Sequence, residues 1–373
     1  MRIAIFHNFM DNIGGAEVVC LTLAREFDAD LYTTNIDPDN IKKMGFGDVL
    51  PRIKSIGKVP INAPFRQQQV LSKFRKLDLR GKYDIFIIGG EWAISGAVYN
   101  KPNIWYAHSM IRELWDSYEY TKKEIVAPIK RPAFVVWAAY NRNLNVKYVQ
   151  SINGIVCNSE NTRRRIKKYL NLDAKIIYPP IKTRDYHCGN DEGYWLSVNR
   201  LFPPKRVNMQ IDAFRRLKES KLIIVGSYEK GSAHFESYTS YLKKIKPSNV
   251  EILHWIEDKE LKELYAHCKG FVTTPIEEDF GMTAIEAMAS GKPVIAPNSG
   301  GYKETINDRK TGILIDDIDE KKVYDAVLEI ERRLNKNPLK YKEVCIKQAR
   351  KFDTSVFADE IKMEMERVLK NGS

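Results

Sequence analysis

Short apolar runs alternate with amphipathic, helix-period stretches along nearly the whole chain. Residues 2–6 form a near-continuous apolar run, as expected of a parallel strand covered on both faces. His7-Asn8 then leads through a polar turn to Gly14-Gly15-Ala16-Glu17, which opens an amphipathic helix ending near Phe27. Further strands are predicted at 30–34, 83–90, 103–107 and 152–157, whereas 51–80 carries little clear order and many basic groups. Tyr178-Pro179-Pro180 and the polar residues through Gly193 read as an interdomain linker. A second alternating set begins at 195–199, turns through Arg200-Leu201-Phe202-Pro203-Pro204-Lys205 and enters a helix over about 208–217. Strands follow at 222–227, 250–254, 270–273 and 293–296, and after 312–315 the pattern is helical to the end. Two successive strand–helix sets predict an α/β fold of two doubly wound, Rossmann-like domains, 1–180 and 181–356, with the ligand crevice between them.

The stretch EEDFGMTAIEAMASGKPVIA, residues 277–296, concentrates the candidate chemistry. Ser290-Gly291 ends its helix and Pro293 prevents continuation, so a loop, a helix and a buried strand follow in quick succession. Glu278 and Glu286 lie eight positions apart across the loop-to-helix junction. Glu286 completes a capping box with Thr283, or it contacts a ligand; Glu278 is a solvated acid favoured by the helix dipole, or it too faces a ligand. Eight helical residues rise roughly 12 Å, beyond the ~5–9.5 Å of carboxylates acting on one glycosidic bond. The two acids therefore suit different parts of one extended ligand, Glu278 a sugar and Glu286 ribose hydroxyls.

Other stretches carry weaker signals. Gly14-Gly15 between a strand and a helix suits a phosphate cradle, although the spacing is not a dinucleotide fingerprint and an ordinary tight turn gives the same pattern. His108 follows a strand, where side chains face the crevice of a doubly wound sheet, although a lone histidine is commonly structural. Arg200 and Lys205 can clamp a diphosphate or form a basic surface turn. Residues 120–147 interleave cations with large apolar groups, which suits an anionic membrane surface or a packed helix with snorkelling cations. The run Arg163-Arg164-Arg165 reads as a solvated helix face.

Composition narrows the class. The 373 residues, 43% hydrophobic, suffice for two buried cores, and 60 Lys and Arg against 48 Asp and Glu give a formal charge of +12. That excess favours anionic partners: nucleic acid, an anionic bilayer or phosphorylated small molecules. Five scattered cysteines suggest neither a disulfide framework nor a zinc-ligand pair, and fit a reducing compartment. The N-terminus is strand-like and too short for a signal-peptide core, and nothing approaches the roughly 18 apolar residues of a spanning helix, so a cytoplasmic protein is expected.

Several motifs in order carry a family resemblance: GGAE at 14–17, YAHSMIRELWD at 106–116, CNSENTRRRI at 157–166, YPPI at 178–181, VNRLFPPKR at 198–206, HWIEDKELKELYAHC at 254–268 and the 277–296 stretch. Over almost its whole length the chain resembles the retaining glycosyltransferases of family 4, which have the GT-B fold. Its second domain is similar to mannosyltransferases that build surface polysaccharides. The resemblance implies a hexose, most readily mannose from GDP-mannose, moved to a glycan or lipid-linked glycan with α-linkage. Glu278 would meet the donor sugar and Glu286 the ribose, with Arg200 and Lys205 on the diphosphate and His108 on the sugar. Gly15 would lie near the phosphates, and the backbone of Phe280, Gly281, Met282 and Thr283 would bind sugar hydroxyls or phosphate oxygens. Trp255 and Ile256 would line the base pocket, Gly226 would join the donor-binding set, and residues 357–373 would form a helix crossing back to the first domain. No Asp-x-Asp motif stands out, so no metal or other cofactor is expected, the nucleotide sugar being a substrate. Three alternatives are a UDP-sugar donor, an acceptor-independent nucleotide-sugar epimerase and a basic nucleic-acid-binding protein; no nucleic-acid-binding motif supports the last. An anionic membrane surface is a further candidate partner, which would make the enzyme peripheral on the cytosolic face.

Overall fold

The computed structural model describes residues 1–61, 64–227, 233–254 and 256–372. They fall into two compact units, Met1–Pro179 with Phe357–Ser373, and Pro180–Val356. The first is built on β1 (Ile3–Phe6), β2 (Asp30–Thr33), β3 (Ile53–Ser55), β4 (Ile85–Ile88), β5 (Asn103–Ala107), β6 (Gly154–Cys157) and β7 (Lys175–Ile176). These strands are all parallel, in the order β3-β2-β1-β4-β5-β6-β7, with Phe6 opposite Ile88 and Ala107 opposite Cys157. Ala4, Phe6, Phe86, Ile88 and Trp105 are fully buried because helices cover both faces, which explains why the strands read as continuous apolar runs. Strand order reverses between β1 and β4, so the chain leaves their C-terminal ends in opposite directions and opens a switch point there.

The described residues of 51–80 are more regular than the sequence pattern suggests. They supply β3 and a helix, Phe65–Lys76. The edge strand has only three residues, and the helix buries Arg66, Val70 and Phe74 alone, a stripe too narrow to show as periodicity. Several basic groups of this stretch are engaged within the unit: Arg66 pairs with Asp11 and stacks 3.6 Å from the Phe9 ring centre, Lys54 lies 2.5 Å from Asp30, and Arg80 lies 2.5 Å from Asp78.

The last helix, Thr354–Gly372, packs in the first unit from Phe357 onward. Phe357 meets Tyr106 edge-on at 5.8 Å, and the buried Glu364 receives Lys175 at 3.4 Å and pairs with Arg367. Gly154 admits the helix, since a Cβ there would come within 2.7 Å of Val368.

The second unit holds β8 (Tyr194–Arg200), β9 (Lys221–Ser227), β10 (Val250–Leu253), β11 (Gly270–Val272), β12 (Val294–Pro297) and β13 (Gly312–Ile315). They are again all parallel, in the order β10-β9-β8-β11-β12-β13, and the switch point falls between β8 and β11. The expected linker is shorter than its composition suggests. Residues 181–193 are fixed to this unit by Ile181 N–H to Phe352 O (2.9 Å), Gly189 N–H to Ala266 O (2.9 Å) and Glu192 N–H to His267 O (3.0 Å). Their polarity reflects a surface course and not a lack of anchoring. Among the described residues, no helix is long and apolar enough to cross a membrane.

Candidate functional site

In the second unit the candidate residues gather at the C-terminal edge of the sheet. β8 ends at Arg200, which is exposed, with its guanidinium 5.6 Å from the Phe202 ring centre. The chain then makes a tight turn, Pro203–Lys205, that aims Lys205 at the segment after β11. The Lys205 ammonium lies 2.5 Å from a Glu278 carboxylate oxygen, with about a fifth of each side chain exposed. The turn is held by Arg206, in the left-handed region at φ 49°, whose guanidinium donates to Thr274 O (2.7 Å) and Pro275 O (3.1 Å). Thr274 Oγ1 donates back to Lys205 O at 3.1 Å.

Glu278 lies in a strap pressed against a glycine pair. Gly301 N–H donates to Glu278 O at 2.9 Å, and a Cβ on Gly300 would fall 2.3 Å from that oxygen. The strap ends at Gly281, φ 92°, which caps the helix Met282–Ala289 without a side-chain hydrogen bond. The first-turn N–H groups, at Met282 and Thr283, thus open at the same edge as Lys205 and Glu278. Phe280 is buried against Phe352 (5.5 Å, near-perpendicular) and fixes the strap from below.

The capping-box expectation fails. The cap position is Gly281, so Thr283 and Glu286 both lie inside the helix, and Glu286 is too far along to reach the cap N–H. It instead accepts a hydrogen bond from the Tyr265 hydroxyl at 2.8 Å and has Tyr186 as a second phenol partner. Burial pushes its carboxyl up to about 6, while Tyr265 and Lys262 pull the other way. Tyr186 falls in the expected linker and Tyr265 in a helix read only as helix; apart from the Tyr-Ala-His-Cys motif around Tyr265, nothing along the chain marked either as a partner of Glu286.

Gly226, at the end of β9, has a packing role: the Leu201 side chain occupies the space its Cβ would take, at 2.5 Å. Ile256 is half-buried beyond β10, ahead of the helix Asp258–His267. Trp255 lies outside the described residues.

The first unit has its own cluster at the C-terminal ends of β1, β4 and β5. His108 follows β5, His7 follows β1, and the helix Gly15–Glu26, capped by Gly14, brings in Glu17 and Cys20. Gly15 is exposed at the helix start. Burial and the neighbouring His7 charge lower the His108 pKa to about 3, so its imidazole is neutral. Burial opposes the charge on His7, but Cys20 and Glu17 outweigh it and hold its pKa well above the ordinary histidine value. Asn8 accepts from the N–H groups of Trp92 (3.0 Å) and Ala93 (2.9 Å) and donates to Glu91 at 3.1 Å. Burial pushes the Glu91 carboxyl up to about 7. His7 and Glu91 were legible by the argument that singled out His108, since both follow strand ends.

Two family models match adjoining stretches of the chain: Glycosyltransferase Family 4 over residues 13–185 and Glycosyl transferases group 1 over residues 183–352. The chain is 25% identical over 372 residues to the Alpha-1,3/1,6-mannosyltransferase ALG2 of Dictyostelium discoideum, covering 84% of this chain and 86% of that one. In fold it is similar to Anabaena Alr3699/HepE, solved with UDP-glucose, with TM-score 0.76 and 16% identity over 98% of this chain and 100% of that one. The sucrose-phosphate synthase of Thermosynechococcus elongatus is alike to the same degree, with TM-score 0.77 and 16% identity over all of both chains.

Proposed function

As a member of glycosyltransferase family 4 with the GT-B fold, this chain is a glycosyltransferase, and we propose that it moves mannose from GDP-mannose, with retention and hence in α-linkage, to a glycan or lipid-linked glycan. The observation that carries the reading is the Lys205–Glu278 pair set at the same sheet edge as the N-terminus of the helix Met282–Ala289. Mannose is supported by the Dictyostelium relative, an Alpha-1,3/1,6-mannosyltransferase.

Breaking a sugar–phosphate bond develops positive charge on the sugar and further negative charge on the diphosphate. Lys205, Arg200 and the helix N–H groups suit the second, and the Glu278 carboxylate suits the first. When a diphosphate takes over Lys205, Glu278 is released toward the sugar. Glu286, held by Tyr265, accepts from ribose hydroxyls. In the first unit, neutral His108 offers a hydrogen bond to the sugar and Gly15 a backbone N–H to phosphate.

The acceptor reading brings in a membrane surface. Ile125, Ile129, Val136 and Tyr140 are exposed, Ile129 at 88%, with the exposed Lys123, Lys130 and Lys147 on the same segments. Gln68 donates to Asn141 at 2.8 Å, which places the helix Phe65–Lys76, with its exposed Phe65, against the helix Arg131–Val149. Apolar groups beside ammonium groups suit an anionic leaflet.

The deciding experiment incubates purified protein with GDP-mannose, UDP-glucose or UDP-GlcNAc, with and without a lipid-linked oligosaccharide. We expect an α-mannosylated product from GDP-mannose alone. Transfer only from a UDP-sugar would replace the donor assignment, and acceptor-independent conversion of UDP-GlcNAc would replace transfer by epimerisation.

A further inference from the structure

We propose that His7, Cys20 and His108 form a binding site for a soft divalent cation of the Zn²⁺ type. Cys20 Sγ lies 3.4 Å from His7 Nδ1 and 3.8 Å from His108 Nε2. A tetrahedral zinc with Zn–S near 2.3 Å and Zn–N near 2.0–2.1 Å separates sulfur from nitrogen by about 3.5 Å. All three donor atoms lie within 4.8 Å of one another. The unit therefore already holds one thiol and two imidazoles at ligand spacing.

Gly89 supplies a second, independent observation. A Cβ built on it would fall 2.5 Å from Cys20 Sγ, 3.3 Å from His108 Nε2 and 3.7 Å from His7 Nδ1. The three donor atoms thus border one small volume, and the lack of a side chain at residue 89 keeps it clear. The wall is rigid: Gly89 N–H donates to Phe6 O at 2.8 Å, and the donors come from the ends of two core strands and a buried helix face.

The outer shell fits as well. His7 Nε2 lies 3.7 Å from Glu17 Oε1, so the carboxylate favours keeping a proton on Nε2, and Nδ1 becomes a ligand once it gives up its own proton, an arrangement metal-ligating histidines favour. Three protein ligands leave a fourth position for water. Binding displaces the Cys20 thiol proton and the Nδ1 proton of the charged His7 ring to solvent, and changes no oxidation state. It also occupies His108 Nε2, so the cation should slow transfer; this consequence alone rests on the sugar contact proposed for His108.

The test titrates metal-free, full-length protein with Co²⁺. We expect the near-ultraviolet thiolate-to-cobalt charge-transfer band and the visible bands of four-coordinate cobalt, both removed by one equivalent of Zn²⁺. Cys20→Ala should abolish the charge-transfer band, whereas Cys157→Ala, which removes another buried thiol, should keep it. Glu17→Gln should weaken Zn²⁺ binding about 10- to 100-fold. No thiolate band in the unaltered chain, or a band that survives Cys20→Ala, would overturn the site. A Cys20-dependent band with transfer indifferent to Zn²⁺ would establish the site and reject the His108 sugar contact instead.

Discussion

Lys205 and Glu278 are 73 positions apart in sequence, yet an ammonium nitrogen and a carboxylate oxygen meet at 2.5 Å. The pair neutralises itself until an anion competes for the lysine. Removing either member alone therefore exposes the other, so the two single variants should not behave alike. Lys205→Ala should weaken donor diphosphate binding, while Glu278→Gln should leave diphosphate binding near normal. Transfer should fall about 100-fold in each, the scale of losing one preorganised charge contact. Calorimetry with GDP alongside single-turnover transfer separates the effects; near-normal transfer in both variants would remove the pair from the site.

Glu286 should impose a pH dependence on nucleotide binding. Its carboxyl titrates near 6, above the usual glutamate range, and the ionised form is the better acceptor for ribose hydroxyls. GDP affinity should rise between pH 5 and 7 and flatten in Glu286→Gln. The effect on stability runs the other way. A folded pKa above the unfolded one favours the folded state below about 4.5, and that advantage is lost as pH rises through about 6. Tyr265→Phe should move the binding midpoint upward, because it removes the hydrogen bond at 2.8 Å that favours the charged form.

Gly281 should tolerate no side chain. It sits at φ 92°, and a Cβ would lie 2.4 Å from the Tyr302 ring. Gly281→Ala should cost about 1–3 kcal/mol from backbone strain, before the displacement of Tyr302 is counted. Thermal unfolding measures the loss, and a melting temperature within a degree of the parent would contradict the strain argument.

Membrane attachment should depend on a few apolar side chains. Ile129→Asp with Val136→Asp should abolish flotation with vesicles rich in anionic phospholipid while leaving transfer to a short soluble acceptor intact. Unchanged flotation, or equal binding to neutral vesicles, would reject this face.

The strands were readable because burial on both faces leaves nearly uninterrupted apolar runs, as at 85–88 and 154–157. The 65–76 helix was not, because it buries one residue per turn, one of them an arginine paired with Asp11. The motif around Glu278 was legible for a similar reason, its glycines and helix signals being local. What Glu286 does was hidden, since its phenol partners lie 21 and 100 positions away and become neighbours only through the sheet. The His7–Cys20–His108 cluster is spread over a hundred residues and has no fixed spacing to find.

The chain enters the second unit near Pro180 and leaves it near Val356, so the first unit is written in two pieces. The unit synthesised first is then the last to be completed. Until residues 357–372 emerge, Tyr106 lacks its Phe357 contact and Lys175 lacks Glu364. The second unit, encoded without interruption, can close while its predecessor still waits. A ribosome stalled before Phe357 would carry one finished unit and one with an open flank, and a fragment ending at Pro179 would keep that flank permanently.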